Sequence, residues 1–252
     1  MRTVAVDWSG AKDPRGRIWV AVCEDGALQS LDSAATREAA VESVLAHAGS
    51  DTVIGFDFSF SLPAWFLQAR GLASAVDLWA LCRDEGERWL SACEPPFWGR
   101  PGKPRPDLPD HFRQTERAVP PVRGITPKST FQVGGAGAVG TGSLRGMPFL
   151  LTLRAAGFAI WPFDPPRFPL VVEIYPRLFT GPVVKRSASA RASYLEVLTP
   201  ALPCALRVRA ESCEDAFDAA ISAIEMGKRA GALRALPHRT DVTARLEGAV
   251  LA

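Results

Sequence analysis

The sequence predicts an α/β fold: a mixed sheet, in which an antiparallel meander joins parallel strands, flanked by helices. Three observations predict it. Short runs of strand formers open the chain, separated by the turn signals Asp13-Pro14-Arg15-Gly16 and Asp25-Gly26. A stretch with helical periodicity follows them. After that comes a nearly continuous apolar strand of the kind found at a sheet centre. With 252 residues, 47% of them apolar, the chain can bury a sizeable core, read as a single domain over 1–252 with an irregular insertion at about 94–146.

The elements follow in order. Thr3 to Asp7 reads as a short buried strand, with Val4 and Val6 on one face and Ala5 and Asp7 on the other. Arg17 to Cys23 is a second strand, and Ala27 to Leu31 a weaker third. Thr36 to Ala48 places Ala40, Val41, Val44, Leu45 and Ala48 on one helical stripe, with Gly49 as the stop. Thr52 to Phe56 is the apolar strand, and it ends in Asp57. Three strands, a helix and a buried fourth strand is the order that opens the RNase H-like fold, although other α/β folds open the same way.

Pro63 to Cys93 has a helical pattern. Glu94 to Lys128 holds nine prolines and seven Lys or Arg, and reads as an irregular insertion or lid because periodic sequence resumes on both sides. Gln132 to Gly146 is glycine-rich, and Met147 to Gly157 is apolar and helical. Ala159 to Phe163 and Leu170 to Tyr175 read as strands, Arg186 to Leu198 and Cys213 to Ala230 as helices.

Composition narrows the class. A formal charge of +2 gives no global bias toward nucleic acid, which leaves only a local basic patch for such a partner. Five cysteines with no C-x-x-C pair fit neither a disulfide framework nor a zinc site. The strand-like N-terminus lacks the pattern of a signal peptide, and no apolar run is long enough to span a membrane, so the expectation is a cytoplasmic chain with no membrane partner. The oligomeric state is left open.

The residues that suggest chemistry are carboxylates. Asp7 ends the first strand, Asp57 the fourth, and Glu173 lies within Val171-Val172-Glu173-Ile174-Tyr175-Pro176. Asp215 and Asp218, three apart, share a face of the late helix beside the apolar stripe Phe217, Ala220, Ile221 and Ile224. A lone carboxylate costs several kcal/mol to bury, about 3–5 when a buried partner is lost. Acids in apolar strands therefore need a reason, and a hard cation such as Mg²⁺ or Mn²⁺ is one. Each also has an ordinary alternative. Asp7 and Asp57 can cap turns or helices, and Glu173 can pair with Arg177 or Lys185. Ser212-x-x-Asp215 resembles a capping box.

Together these motifs resemble a family. The segments Val4-Ala-Val-Asp7-Trp-Ser-Gly10, Ile54-Gly-Phe-Asp57-Phe-Ser-Phe-Ser-Leu-Pro63, Val172-Glu173-Ile-Tyr-Pro176, Asp215-Ala-Phe-Asp218-Ala-Ala220 and the terminal Leu246-Glu247-Gly248-Ala249 resemble the DUF429 family, described as predicted nucleases with an RNase H fold. The late helix also resembles that of RuvC-type resolvases, which carries two aspartates three apart. The resemblance implies metal ligands at Asp7, Asp57, Asp215 and Asp218, and catalytic acids at Asp7, Asp57, Glu173 and Asp218. It places Lys185 and Arg191 as cations near a substrate phosphate.

The leading expectation is thus a metal-dependent nuclease cleaving phosphodiester bonds of DNA or RNA, with Arg100, Lys103, Arg105, Arg113, Arg117 and Arg123 tracking the backbone. An actin-like ATPase-type enzyme is the alternative, with Asp7-x-Ser-Gly and Gly134 to Gly142 cradling phosphate, though no G-x-x-x-x-G-K-[ST] is present. A non-catalytic RNase H-like binding module is the third.

Overall fold

The strand Arg2–Asp7 (β1) is the axis around which the other elements assemble. In the computed structural model, which describes residues 1–251, β1 pairs antiparallel with Ile18–Glu24 (β2) and parallel with Thr52–Phe56 (β4). Ala27–Ala34 (β3) extends the meander beyond β2. Leu170–Ile174 (β6) adds in parallel to β4. The outer edge of β6 is shared end to end by two short parallel strands, Ala159–Ile160 (β5) and Val250–Leu251 (β7). The sheet order β3-β2-β1-β4-β6-β5, a meander followed by parallel strands, is RNase H-like.

Alternation along β1 divides the molecule into two cores. Val4 and Val6 are fully buried in a core beneath Arg37–Ala46 (α1), Ala64–Gln68 (α2), Ala75–Ala92 (α3) and Gly140–Ala155 (α5). Ala5 faces the opposite core, capped by Glu214–Lys228 (α9), whose Phe217, Ala220, Ile221 and Ile224 press on the sheet as their spacing predicts. Burying side chains of this size contributes about 1.5–3 kcal/mol each. The remaining helices are short: Gln114–Ala118 (α4), Arg177–Thr180 (α6), Ala188–Leu198 (α7), Cys204–Glu211 (α8), Ala230–Arg234 (α10) and Val242–Glu247 (α11). Among the described residues no helix is long and apolar enough to cross a membrane.

Several boundaries depart from the sequence expectation. α1 ends at His47 with Ala48 exposed, so Gly49 does not form its stop. The helical stretch over 63–93 breaks at 69–74, where Gly71 takes φ +65. α5 begins at Gly140, inside the glycine-rich run and seven residues before Met147. There the glycines serve close backbone packing: a Cβ on Gly10 would overlap the Thr141 and Gly142 backbone, and one on Gly140 the Thr130 carbonyl. The helical cap before Asp215 is Cys213, whose sulfur accepts from the Ala216 N–H, while Ser212 donates to the Arg209 carbonyl. The capping box is therefore not formed.

The insertion is largely irregular, but it is not a lid laid over the surface. Phe97 and Phe131 are buried against Phe66, and Arg113 is completely enclosed. A solvated basic loop tracking phosphates is thus corrected for Arg113, and Arg117 is held by Asp110.

Candidate functional site

Strand parity assembles the acids. Thr3, Ala5 and Asp7 face α9, and Thr3 Oγ1 donates to the Ala223 carbonyl of that helix at 2.8 Å. On β4, Gly55 lies on the same face, where a Cβ would come within 2.8 Å of Met226 of α9. Asp57 is the next residue of that parity, just past the strand end. Its Oδ1 accepts the Trp8 N–H at 3.0 Å, and its own N–H donates to Val6 O at 3.2 Å. Asp57 therefore ties the ends of β1 and β4 together and does not cap α2, whose first N–H goes to Glu247. Asp218, in the N-terminal half of α9, lies near enough for its charge to act on both Asp7 and Asp57, with Asp215 one turn earlier and half-buried.

These four carboxylates feel one another. Burial raises the Asp7 pKa well above the usual carboxylate range, and the charges of Asp57, Asp218 and Asp215 raise it further against the pull of Lys185. Burial pushes Asp57 up to about 8, opposed by its Trp8 hydrogen bond and helped by Asp218. Burial raises Asp218 too, with Lys185 opposing, and it raises Asp215, where Glu214 adds to the shift and Arg17 opposes it. The Lys185 ammonium forms a salt bridge with Asp218 Oδ2, while Asp218 Oδ1 is buried with no hydrogen-bond partner.

Whether this set suits a divalent ion can be judged from its donors. All are hard carboxylate oxygens, the type Mg²⁺ and Mn²⁺ select. The orphaned Asp218 Oδ1 is a buried acceptor that a cation would satisfy. Asp218 is paired with Lys185, however, and among the described residues no three Asp, Glu, His or Cys side chains stand ready to hold one ion.

Glu173 is not part of this group. In the register Phe56↔Glu173, it takes the parity of Phe56 and Val171 and so points to the other face of the sheet. There Arg113 Nη2 donates to Glu173 Oε1 at 2.5 Å and Nη1 to Oε2 at 2.9 Å, and the Phe60 N–H donates to Oε2 at 2.9 Å. Arg113 Nε also donates to Glu116 Oε1 at 2.7 Å. Burial pulls the guanidinium pKa down, but the charges of Glu116 and Glu173 overcome it and hold it raised. The partner of Glu173 is therefore neither Arg177 nor Lys185. Arg177 instead donates to the Gly181 and Val183 carbonyls.

Arg191 is also corrected as a substrate contact. It is buried, and its guanidinium donates to the carbonyls of Glu211 and Lys185, fixing the loop that carries Lys185. Lys185 itself lies at the acids through Asp218.

Sequence reasoning set Arg113 among the cations tracking a phosphate backbone and missed both its pairing with Glu116 and Glu173 and the capping role of Glu247. Glu247 accepts from the Ala64 N–H at 2.7 Å and the Gln114 N–H at 2.6 Å, so one carboxylate caps both α2 and α4. The terminal Leu-Glu-Gly-Ala segment was the signal for it. A crevice of about 60 Å³ between Asp57, Ser59, Lys128, Glu173 and Tyr175 has room for a few waters beside the acids. Compared with protein-family models, curated proteins and solved structures, the chain matches none.

Proposed function

We propose that the chain is a metal-dependent phosphodiesterase acting on nucleic acid, with Asp7, Asp57 and Asp218 as its metal ligands and Asp215 assisting at the rim. One observation carries this reading: Asp7 and Asp57 at the ends of β1 and β4 face the α9 side of the sheet, where Asp218 of α9 keeps a buried oxygen that no protein group satisfies. The ends of the parallel strands are where ligands of open α/β sheets gather. The RNase H-like strand order and the resemblance to the DUF429 motifs point the same way, the second by analogy.

Asp7, Asp57 and Asp218 would hold a divalent ion, which when bound would supply an activated water and charge stabilisation for a phosphodiester's leaving oxygen. The chain's own groups do the rest. Asp57 fixes the Trp8 backbone through its Oδ1 and keeps the β1 end in register. Lys185 offsets the carboxylate charge while the acids stand without an ion. Arg191 holds the Lys185 carbonyl and so places that ammonium. Glu173 is assigned a positioning role: it anchors Arg113 and the Phe60 backbone on the opposite face, without touching the reacting atoms.

The test is direct. Mn²⁺ binding is followed by calorimetry on the wild type and Asp7→Asn, together with cleavage of single-stranded, duplex and branched nucleic acids. The expected result is saturable Mn²⁺ binding and cleavage, both lost in Asp7→Asn. Cleavage that survives Asp7→Asn, or no Mn²⁺ binding by the wild type, overturns the proposal. ATP hydrolysis without nucleic-acid cleavage overturns it in favour of the actin-like reading.

A further inference from the structure

A groove of about 360 Å³ opens beside the acids, on the far side of Lys185. Four cations from three separate segments line it: Arg123 from the insertion, Arg177 from α6, and Lys185 and Arg186 from the loop before α7. Its lining holds one acid, Glu214, which is exposed. Among the described residues, Arg123, Arg177 and Arg186 have no carboxylate within 4.0 Å, so their charges are not offset locally.

Two of these guanidiniums are oriented by backbone. Arg123 Nη1 donates to the Pro182 carbonyl at 3.2 Å, and Arg177 Nη1 to the Gly181 and Val183 carbonyls at 3.1 and 2.7 Å. Each keeps its remaining N–H donors for a ligand, which is the fixed fork that suits phosphate. Arg123 stands on a tight turn in which Val122 and Ile125 exchange both backbone hydrogen bonds. That turn and the 182–186 segment both line the groove, and Arg123 links them through the Pro182 carbonyl. Exposed Ile125 and Val184 give the groove apolar edges.

We propose that this groove binds the phosphate backbone of a single nucleic-acid strand and leads it to Asp218. The inference rests on the phosphodiesterase reading and adds the substrate's form and path. Cations without carboxylate partners recognise the phosphates, and the apolar edges meet sugars or unstacked bases, a combination that suits a single strand whose bases are not paired. Lys185 is the junction, lining the groove while its ammonium rests on Asp218.

The experiment measures binding of a labelled single-stranded oligonucleotide by anisotropy, in EDTA, across a salt series. The full chain is compared with Arg123→Gln/Arg186→Gln and with the control Arg167→Gln/Arg245→Gln, whose exposed cations lie outside the groove. Single strands lose counterions with a log–log slope of roughly −0.7 per phosphate contact, so the groove variant should flatten the slope by about 0.7 for each cation removed. The control should keep the wild-type slope, and unlabelled duplex should compete poorly. A wild-type slope in the groove variant, an equal loss in the control, or duplex competing as well as single strand overturns the groove. Mn²⁺ calorimetry on the same proteins, freed of EDTA, separates the two readings. If the wild type binds Mn²⁺ while the groove variant keeps its slope, the groove alone fails. If the wild type does not bind Mn²⁺, the phosphodiesterase reading fails.

Discussion

Replacing Arg113 with Met removes the one cation that serves two buried carboxylates. The Arg113 side chain is fully enclosed, and its guanidinium donates to Glu173 at 2.5 and 2.9 Å, to Glu116 at 2.7 Å and to the Glu247 carbonyl at 2.7 Å. Methionine fills much of the aliphatic volume and satisfies none of these acceptors. Breaking a buried ion pair from one side costs about 3–5 kcal/mol, because the partner charge is left in the interior. For a chain of this length each kcal/mol lowers Tm by about 2–4 °C, so Arg113→Met should melt roughly 6–20 °C below the wild type. Calorimetry and urea unfolding measure the loss. Glu173→Gln in the Arg113→Met background should cost less than it does alone, with a coupling of about 0.5–3 kcal/mol in a double-mutant cycle. Glu173→Gln should also leave Mn²⁺ binding intact, since Glu173 faces away from Asp7. A loss below about 1 kcal/mol in Arg113→Met would refute the ion-pair reasoning. A Glu173→Gln variant that keeps its stability but loses Mn²⁺ would place Glu173 among the ligands after all.

Three further outcomes follow from the same geometry. Lys185→Met leaves Asp218 without its counter-ion, so the metal-free chain should lose about 1–3 kcal/mol and regain it on adding Mn²⁺; equal melting with and without Mn²⁺ would count against that. Asp57 rises to about 8 in the fold against about 3.9 unfolded, so the folded chain holds the extra proton between those values and stability should fall as pH rises through that window, where Asp57→Asn should flatten the curve. A metal-free chain that gains stability from pH 5 to 8 contradicts this. Glu247→Ala removes the shared cap of α2 and α4 and should cost about 1–2 kcal/mol or more; limited proteolysis near Gln114 should quicken, and unchanged digestion would show that the cap is dispensable.

How far the sequence carries the fold depends on where residue spacing is itself the physical cause. Val4, Val6 and Asp7 divide between two faces because strand side chains alternate, and Asp215 and Asp218 share a face because helices repeat near 3.6 residues. Those readings needed no partner. Glu173 needed one: its face becomes known only once β6 is registered against β4, and that pairing joins residues 117 positions apart with no local signal. Arg113 is harder still. Nothing in a proline-rich, basic stretch separates the one arginine that is buried from exposed neighbours such as Arg105 and Arg123. The glycine-rich run misleads for a related reason. Its composition suggests a flexible cradle, while Gly10 and Gly140 are required by the near approach of distant backbone.

The two faces of the sheet carry buried acids treated in opposite ways, and that contrast separates support from chemistry. On the Arg113 face the carboxylates find donors within the chain: Glu173 has the guanidinium and the Phe60 N–H, Glu116 has the guanidinium and the Arg113 N–H, and Glu247 has two helix N–H groups. Those hydrogen bonds replace the water the carboxylates lost on burial. On the α9 face, Asp7, Asp57 and Asp218 share one ammonium and one backbone N–H, and an oxygen of Asp218 has neither. A site so short of donors has two ways to relieve its charge: hold protons, which the raised pKa values of all three express, or take up a cation. The two exclude each other, because a carboxyl must release its proton to ligate. On the proposed reading, a bound cation would therefore displace those protons and take over the charge that the Lys185 bridge now offsets at Asp218.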